Sequence, residues 1–222
     1  MHMKTTQRLM DASKNIWAGY HVHPFVRGIA DGTLDREKFK YYMLQDYLYL
    51  IDYAKVFAVG VAKAQDMEAM RLFAGYISQI LSGEMNIHKG YMQRLGIALD
   101  EAEQAPMALD NLSYTSYMLR VAYEEGQGEI AAAILSCALS YEVIAKEMVK
   151  ACPACTDHCF YGEWISGYAS SGYAEANQRL IDLIERLTAD YSEAQMRRLE
   201  EIFIVCSRHE AAFWDMAWDM RG

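Results

Sequence analysis

Apolar residues recur at every third or fourth position along most of the chain, and alternating apolar and polar runs joined by hairpin turns are nearly absent. A spacing of three and four residues places side chains on one face of an α-helix. The pattern therefore predicts an all-α protein whose helices bury one face in a common core.

The helix boundaries follow from the residues that break or cap helices. The three prolines stand at positions 24, 106 and 153, each between long periodic stretches. The predicted helices cover about residues 5–20, a long segment from about 35, residues 66–95, 106–124, a stretch around 137 that ends near 150, residues 161–187, and a last helix from 192 nearly to the end. Ser192 and Gln195 have the spacing of a capping box. Because the connections are short, we expect a single helical-bundle domain over residues 1–222.

The charge balance narrows the classes of partner. The chain carries 21 basic and 30 acidic residues, a net charge of −9, and it has no run of lysine or arginine that could follow a phosphate backbone. No continuous apolar run approaches the roughly 20 residues that span a bilayer, and the N-terminal residues lack the apolar core of a signal peptide. We expect a cytoplasmic protein that binds neither nucleic acid nor membrane.

Five cysteines occur, an odd number without regular spacing, which favours free thiols. The segment from Cys152 to Cys159 resembles a metal knuckle, because Cys152 and Cys155 form a C-x-x-C pair. However, only two residues separate Cys155 from His158, and no second pair follows. A thiol-rich loop is the favoured interpretation, and no metal is expected.

Cys137 lies in an apolar helix among small residues, with Tyr141 one turn later on the same face. The small neighbours leave space in which a flat ligand could lie beside the sulfur. A cysteine in such a helix is commonly a core residue, and its thiol would need a nearby base to become a nucleophile. Both interpretations stay open from the pattern alone.

Two acidic residues share helix faces with aromatic residues. Asp46 lies in the most aromatic segment and has Tyr49 at i+3, while Glu210 is followed by Phe213 and Trp214 at i+3 and i+4. Apolar neighbours raise the pKa of a glutamate and suit it to acid or base catalysis. A solvated helix face, or for Asp46 a structural bond to a tyrosine, explains the same spacing.

Two metal-dependent classes of helical bundle find little support. Carboxylate-bridged di-iron bundles use Glu-x-x-His pairs, whereas Glu84 and His88 stand four residues apart. The obvious haem ligands would be His21 and His23, but His23 precedes Pro24, which more simply marks a loop.

The order and wording of the segments resemble the thiaminase II family, also called the TenA family, across nearly the whole chain. Six separated blocks carry the resemblance. They are 23–34 with 39–46, 84–88, 113–117, the helix around 137, 164–168 and 210–217.

The resemblance implies a haem-oxygenase-like helical bundle without haem, usually assembled as a homotetramer. It implies hydrolysis of 4-amino-5-aminomethyl-2-methylpyrimidine to the hydroxymethyl pyrimidine and ammonia in thiamin salvage, with thiamin as a slower substrate and with no metal or cofactor. The alternatives are a haem- or iron-dependent enzyme on the same bundle and a non-catalytic pyrimidine-binding regulatory protein.

The resemblance also assigns roles to particular residues. Cys137 matches the nucleophile that adds to the pyrimidine ring, and Glu210 matches the acid/base that shuttles protons. Asp46 matches the carboxylate that holds a ring nitrogen and the amino group.

Four tyrosines match the substrate-binding aromatics of the family. Tyr49 and Tyr141 match side chains that stack on the ring, and Tyr114 and Tyr168 match those that orient the nucleophile or the ring. The segment after Cys137 has small residues and a leucine where the family often has bulkier ones, which favours a roomier pocket.

Overall fold

The computed structural model describes residues 3–221, and within that range every regular element is helical, with no β-strand. The all-α prediction is therefore confirmed. The helices are α1 (Thr5–Val22), α2 (Pro24–Asp31), α3 (Arg36–Lys63), α4 (Met67–Gln79), α5 (Met85–Arg94), α6 (Leu99–Gln104), α7 (Leu109–Glu124), α8 (Gln127–Ala151), α9 (Gly162–Ala169), α10 (Ser171–Leu187) and α11 (Glu193–Asp219). A π-helical turn (Ile80–Glu84) joins α4 to α5, and a 3₁₀ turn (Pro153–Asp157) follows α8.

The segment after α1 differs from its prediction as a loop. Pro24 is the first residue of α2, a position where its missing N–H costs nothing. The His23 Nδ1 atom accepts a hydrogen bond from the Phe25 backbone N–H at 3.2 Å and so caps the helix. Gly32, with a φ of 78°, ends it in the left-handed conformation that glycine adopts without strain. His23 is thus a capping residue.

Two predicted helices are interrupted. The segment 66–95 contains the π-helical turn, and the segment 161–187 breaks at Ser170, whose Oγ accepts from the Tyr173 backbone N–H at 3.1 Å and caps α10. The capping box at the start of α11 is confirmed, since Ser192 Oγ accepts from Gln195 N–H and the Gln195 side chain accepts from Ser192 N–H.

Helix α8 lies at the centre of the bundle, where it packs against α7, α9, α10 and α11. It is long and apolar enough to cross a membrane by length and composition, but 89% of its most apolar window is buried within the protein. Small residues along it let α11 approach closely, and Ser136 Oγ lies 3.2 Å from Ser207 Oγ across the contact. The buried region between α8, α11 and α3 is where the candidate residues meet.

Candidate active site

Cys137 projects from the middle of α8 and is 7% exposed. Burial raises the pKa of its thiol well above the usual value, and the negative charge of Glu210 raises it further, while Tyr49 lowers it. The thiol is therefore protonated at neutral pH, and it reacts as a nucleophile only if a neighbouring base removes the proton.

Glu210 projects from α11 and is the candidate for that base. Burial raises the pKa of its carboxyl group to about 8, and the charge of Asp46 raises it as well. Polar interactions with Tyr114, Tyr141 and Cys137 lower the pKa in part. Because the carboxyl group ionises before the thiol, the pair can hold a carboxylate beside a neutral thiol, which is the arrangement that general-base activation of a nucleophile requires.

Asp46, on α3, is 4% exposed and bonds through one carboxylate oxygen to two side chains. Its Oδ2 atom lies 2.6 Å from His88 Nε2, and it accepts from the Tyr42 hydroxyl at 3.1 Å. The structural bond to a tyrosine that the sequence left open is therefore present. The bond to His88 is an addition that the sequence analysis did not foresee.

The hydrogen bonds of His88 fix its charge. Its Nδ1 atom lies 3.0 Å from the backbone carbonyl oxygen of Glu84, which can only accept, so Nδ1 carries a proton. Its Nε2 atom faces the Asp46 carboxylate, and although burial lowers the pKa of His88, the bond to Asp46 outweighs this and raises it. Both ring nitrogens thus face acceptors, the arrangement of an imidazolium paired with a carboxylate, and the pair is shielded from solvent.

Aromatic rings enclose these groups from two sides. On one side the rings of Tyr49 and Tyr114 lie 5.2 Å apart between centroids. On the other, Tyr141 lies 4.8 Å from Tyr168 and 5.3 Å from Trp214. Such rings offer flat apolar faces to a planar ligand.

Two buried polar atoms in this region lack a hydrogen-bond partner among residues 3–221, the Tyr114 hydroxyl and the Trp214 Nε1. Buried donors are normally satisfied, and those that are not commonly mark a place where a ligand or water binds. Both atoms belong to the aromatic walls described above, which supports a polar ligand between them.

The structure brings all seven residues predicted from the sequence into one region. Cys137 and Glu210 influence each other's pKa, Asp46 raises the pKa of both, and the four tyrosines form the walls. The Tyr168 hydroxyl, however, donates to Glu84 Oε1 at 2.9 Å, so its hydrogen bond orients a carboxylate.

The sequence analysis missed Glu84 and His88 as site residues. Segment 84–88 was one of the six blocks of the family resemblance, and the spacing of four argued against a di-iron site, but neither residue was given a role. The signal that could have found them is a histidine beside a glutamate inside an otherwise apolar helical pattern, because a buried imidazole needs polar partners.

An open cavity of about 290 Å³ lies beside the buried pocket, between α5, α9 and α10. Its lining includes Glu84, His88, Trp164, Tyr168 and Tyr173. Since His88 also bonds to Asp46 and the ring of Tyr168 packs on that of Tyr141, the cavity adjoins the buried residues.

The thiol-rich loop lies apart from this region. Cys152 and Cys159 are exposed, Cys155 is buried, and all three are free thiols. Within residues 3–221 no group of three or more His, Cys, Asp or Glu side chains is arranged to hold a metal ion.

Comparison with known proteins places this site in context. The model of the TENA/THI-4/PQQC family matches residues 10–220. The aminopyrimidine aminohydrolase of Helicobacter pylori is 45% identical to the chain over 97% of it and 99% of the relative. A solved TenA homologue from P. horikoshii OT3 is 32% identical, with a TM-score of 0.88 over 98% of this chain and 99% of the other.

One distant structural likeness bears on the fold alone. A domain from Shewanella denitrificans OS217, described as having a heme oxygenase-like fold, superposes with a TM-score of 0.78 over 97% of this chain and 92% of the other at 12% identity. The haem-oxygenase-like bundle expected from the sequence is thereby confirmed.

Proposed function

Because this chain belongs to the TENA/THI-4/PQQC family, we propose that it is an aminopyrimidine aminohydrolase of the thiaminase II type. It is a hydrolase, and the resemblance stated from six sequence blocks is confirmed. Its substrate is 4-amino-5-aminomethyl-2-methylpyrimidine, which it converts to the 5-hydroxymethyl pyrimidine and ammonia. Thiamin is the slower substrate.

One observation carries this proposal: a buried thiol, a carboxyl group with a pKa of about 8 and the Asp46 carboxylate lie in one buried region among aromatic rings. A pyrimidine is flat and has ring nitrogens and an amino group that need an acceptor and a donor. The rings of Tyr49 and Tyr141 fit its faces, and the Asp46 carboxylate fits its amino group, from which it accepts a hydrogen bond.

The reaction begins with Cys137. Glu210 takes the proton from the thiol, and Sγ forms a bond to an electrophilic ring carbon. Glu210 then gives that proton to a ring nitrogen, and the electrons of the ring expel the exocyclic nitrogen together with its bonding pair. Water adds to the methylene carbon and gives a proton to the Glu210 carboxylate. The bond between sulfur and carbon then breaks with its electron pair returning to Sγ, and the proton on the ring nitrogen passes to Sγ.

Asp46 and His88 orient the ring during these steps. The His88 imidazolium donates a hydrogen bond to Asp46 Oδ2 and keeps the Asp46 carboxyl group acceptor-only. The amino group of the substrate can therefore donate to it. Tyr42 contributes to the same geometry, because its hydroxyl lies 3.1 Å from Asp46 Oδ2 and 3.4 Å from the Tyr141 hydroxyl.

The direct test is ammonia release by the purified protein incubated with the aminomethyl pyrimidine. We expect stoichiometric ammonia and hydroxymethyl pyrimidine, with unchanged rates in the presence of a chelator. Absence of ammonia would overturn the proposal, and loss of activity in the chelator would favour the iron-dependent alternative.

Replacing Asp46 by asparagine is expected to weaken binding of the hydroxymethyl pyrimidine by about 10- to 100-fold, the range for a lost hydrogen bond to a charged group. The amide also donates and leaves the His88 cation without its counter-charge, so the site loses its fixed acceptor. Isothermal titration calorimetry gives the affinity.

The matched control is Asp52→Asn on the same helix. The Asp52 carboxylate pairs with Lys55 at 2.6 Å, and its replacement should leave the affinity unchanged. Equal affinities of Asp46→Asn and wild type would contradict the role of Asp46.

We also propose that the protein is a cytoplasmic homotetramer with one domain over residues 1–222, of which 1, 2 and 222 lie outside the described residues. The family model, which spans residues 10–220, supports one domain, and the five free cysteines fit a reducing compartment. Leu109 on α7 is 78% exposed and Tyr123 69% exposed, and such apolar side chains are typical of an interface between copies.

A further inference from the structure

Glu84 is a carboxylate at the edge of the site that the mechanism above leaves without a role. It is the last residue of the π-helical turn Ile80–Glu84, and it lines the open cavity. A π-helical turn inserts extra backbone into a helix and commonly marks a functional position. Here it carries Glu84 at the junction where α5 begins, one turn before His88.

The Glu84 carboxylate has a side-chain hydrogen-bond partner, among residues 3–221, at only one of its two oxygens. Its Oε1 atom accepts from the Tyr168 hydroxyl at 2.9 Å, and no other side chain hydrogen-bonds to the carboxylate among residues 3–221. Burial raises the pKa of this carboxyl group, while the charge of His88 and the bond from Tyr168 lower it and the charge of Asp46 raises it. Because the bond from Tyr168 uses Oε1, the other carboxylate oxygen, Oε2, is available to a ligand in the cavity.

The surroundings of Glu84 suit a positively charged group. Tyr168 and Tyr173 line the cavity beside it, with ring centroids 5.1 Å apart at 89°. Aromatic faces attract cations, and a carboxylate next to them adds a direct counter-charge. His88, whose Nδ1 atom donates to the Glu84 backbone carbonyl oxygen, already has its charge matched by Asp46.

The position of Glu84 relative to the nucleophile fits the exocyclic end of the substrate. Its charge and that of Asp46 both raise the pKa of the Cys137 thiol. Tyr168 links Tyr141 to Glu84, because its ring lies 4.8 Å from that of Tyr141 and its hydroxyl bonds to Glu84. A ring held between Asp46 and Tyr141 would therefore be separated from Glu84 by the side chain of Tyr168.

The geometry points to Glu84, with the rings of Tyr168 and Tyr173, as the subsite that binds the positively charged leaving nitrogen of the substrate. This inference rests on the proposed function of the site. The aminomethyl group binds as an ammonium ion that donates hydrogen bonds to the free carboxylate oxygen. When the bond between carbon and nitrogen breaks, its electron pair goes to nitrogen, so neutral ammonia forms without a further proton and departs through the cavity. The bridging nitrogen of thiamin carries the same positive charge.

The test compares two ligands that differ only at the exocyclic group, which is an ammonium in the aminomethyl and a neutral hydroxyl in the hydroxymethyl pyrimidine, in a Cys137→Ser background that prevents turnover. Glu84→Gln is expected to raise the dissociation constant of the aminomethyl pyrimidine at least about tenfold and to change that of the hydroxymethyl pyrimidine less than about threefold. Glu84→Asp, which keeps the charge, should restore most of the preference.

The matched control is Glu142→Gln on α8, a buried carboxylate that bonds to Asn177 at 2.6 Å outside the site. It should change neither affinity. Equal weakening of both ligands by Glu84→Gln, or no weakening of the aminomethyl ligand, would overturn the inference, and retained binding of the hydroxymethyl ligand reports that the variant is folded. Since binding is measured without turnover, the outcome is independent of the ammonia assay that tests the proposed function.

Discussion

Replacing Cys137 by serine is expected to lower the rate of ammonia release by at least about 10³-fold, because a hydroxyl group ionises far less readily than a thiol and forms the ring adduct poorly. The affinity for the hydroxymethyl pyrimidine should change little, since serine nearly preserves the volume of the pocket. Steady-state kinetics combined with titration calorimetry separate the two effects. A variant that keeps more than a tenth of the wild-type turnover would rule out Cys137 as the nucleophile.

Cys206→Ser provides the matched control for this substitution. Cys206 is fully buried on α11, one turn before Glu210, and burial together with the charge of Glu210 raises the pKa of its thiol. It thus shares the burial and the carboxylate neighbour of Cys137. We expect lower stability in this variant, because a hydroxyl group is buried in an apolar site, but turnover within a few-fold of wild type.

Replacing Glu210 by glutamine is expected to lower kcat by about 10²- to 10⁴-fold, the usual contribution of a positioned acid or base. The amide can neither accept the thiol proton nor deliver it to the ring. Binding of the hydroxymethyl pyrimidine should fall much less than kcat. Equal losses in binding and turnover would show that Glu210 acts mainly by holding the ligand.

The pH dependence gives an independent measure of the same role. The carboxylate form of Glu210 starts the reaction, and its pKa is about 8. The wild-type kcat/KM should therefore rise with pH and level off above about 8, with roughly a tenth of the enzyme in the active form at pH 7. The Gln variant should lose this rise. A profile that falls through pH 8 would assign the protonated form as the active one.

The stabilities of the wild-type protein and of the Glu210→Gln variant should respond differently to pH between 4.5 and 8. The pKa of Glu210 is raised from its ordinary value of 4.5 to about 8 in the folded protein, so protonation stabilises the fold. This stabilisation is complete below pH 4.5 and is lost as pH rises through 8, whereas the Gln variant has no such loss. Glu210→Gln should thus gain relative stability between pH 4.5 and 8, by at most about 5 kcal/mol. Thermal unfolding of both proteins at pH 4.5 and at pH 8 measures this change in relative stability, and it also shows that the variant is folded.

The helices could be predicted from the sequence because each is a local structure whose periodicity shows directly in the order of residues. The capping box at Ser192 was found for the same reason, since both of its residues lie within four positions. The breaks at Ser170 and at the π-helical turn were missed, because the apolar pattern continues across both of them. Periodicity reports which face of a segment is buried, and it does not report that the backbone has inserted or omitted a residue.

In the candidate site, too, neighbours within one helix could be predicted from the sequence, whereas partners on different helices could not be predicted from spacing. Tyr141 lies one turn from Cys137 and Trp214 one turn from Glu210, so the sequence placed an aromatic ring beside each group. The family resemblance then joined residues of different helices, which spacing alone could not do. It left His88 unassigned, because the partner of this histidine is Asp46, 42 residues away on another helix.

The sequence by itself determined the all-helical fold, the face of each helix that is buried and the residue types available for chemistry, because these depend on geometry within a few residues. Only the tertiary structure decided that the Asp46 carboxylate is paired with a protonated His88, that Glu84 faces an open cavity and that the carboxyl group of Glu210 ionises near pH 8. These properties depend on removing charged groups from water and setting them against partners from other helices. Neither condition exists until α3, α5, α8 and α11 have packed together. For Cys137 the same packing places the charge of Glu210, from another helix, close enough to raise the pKa of the buried thiol.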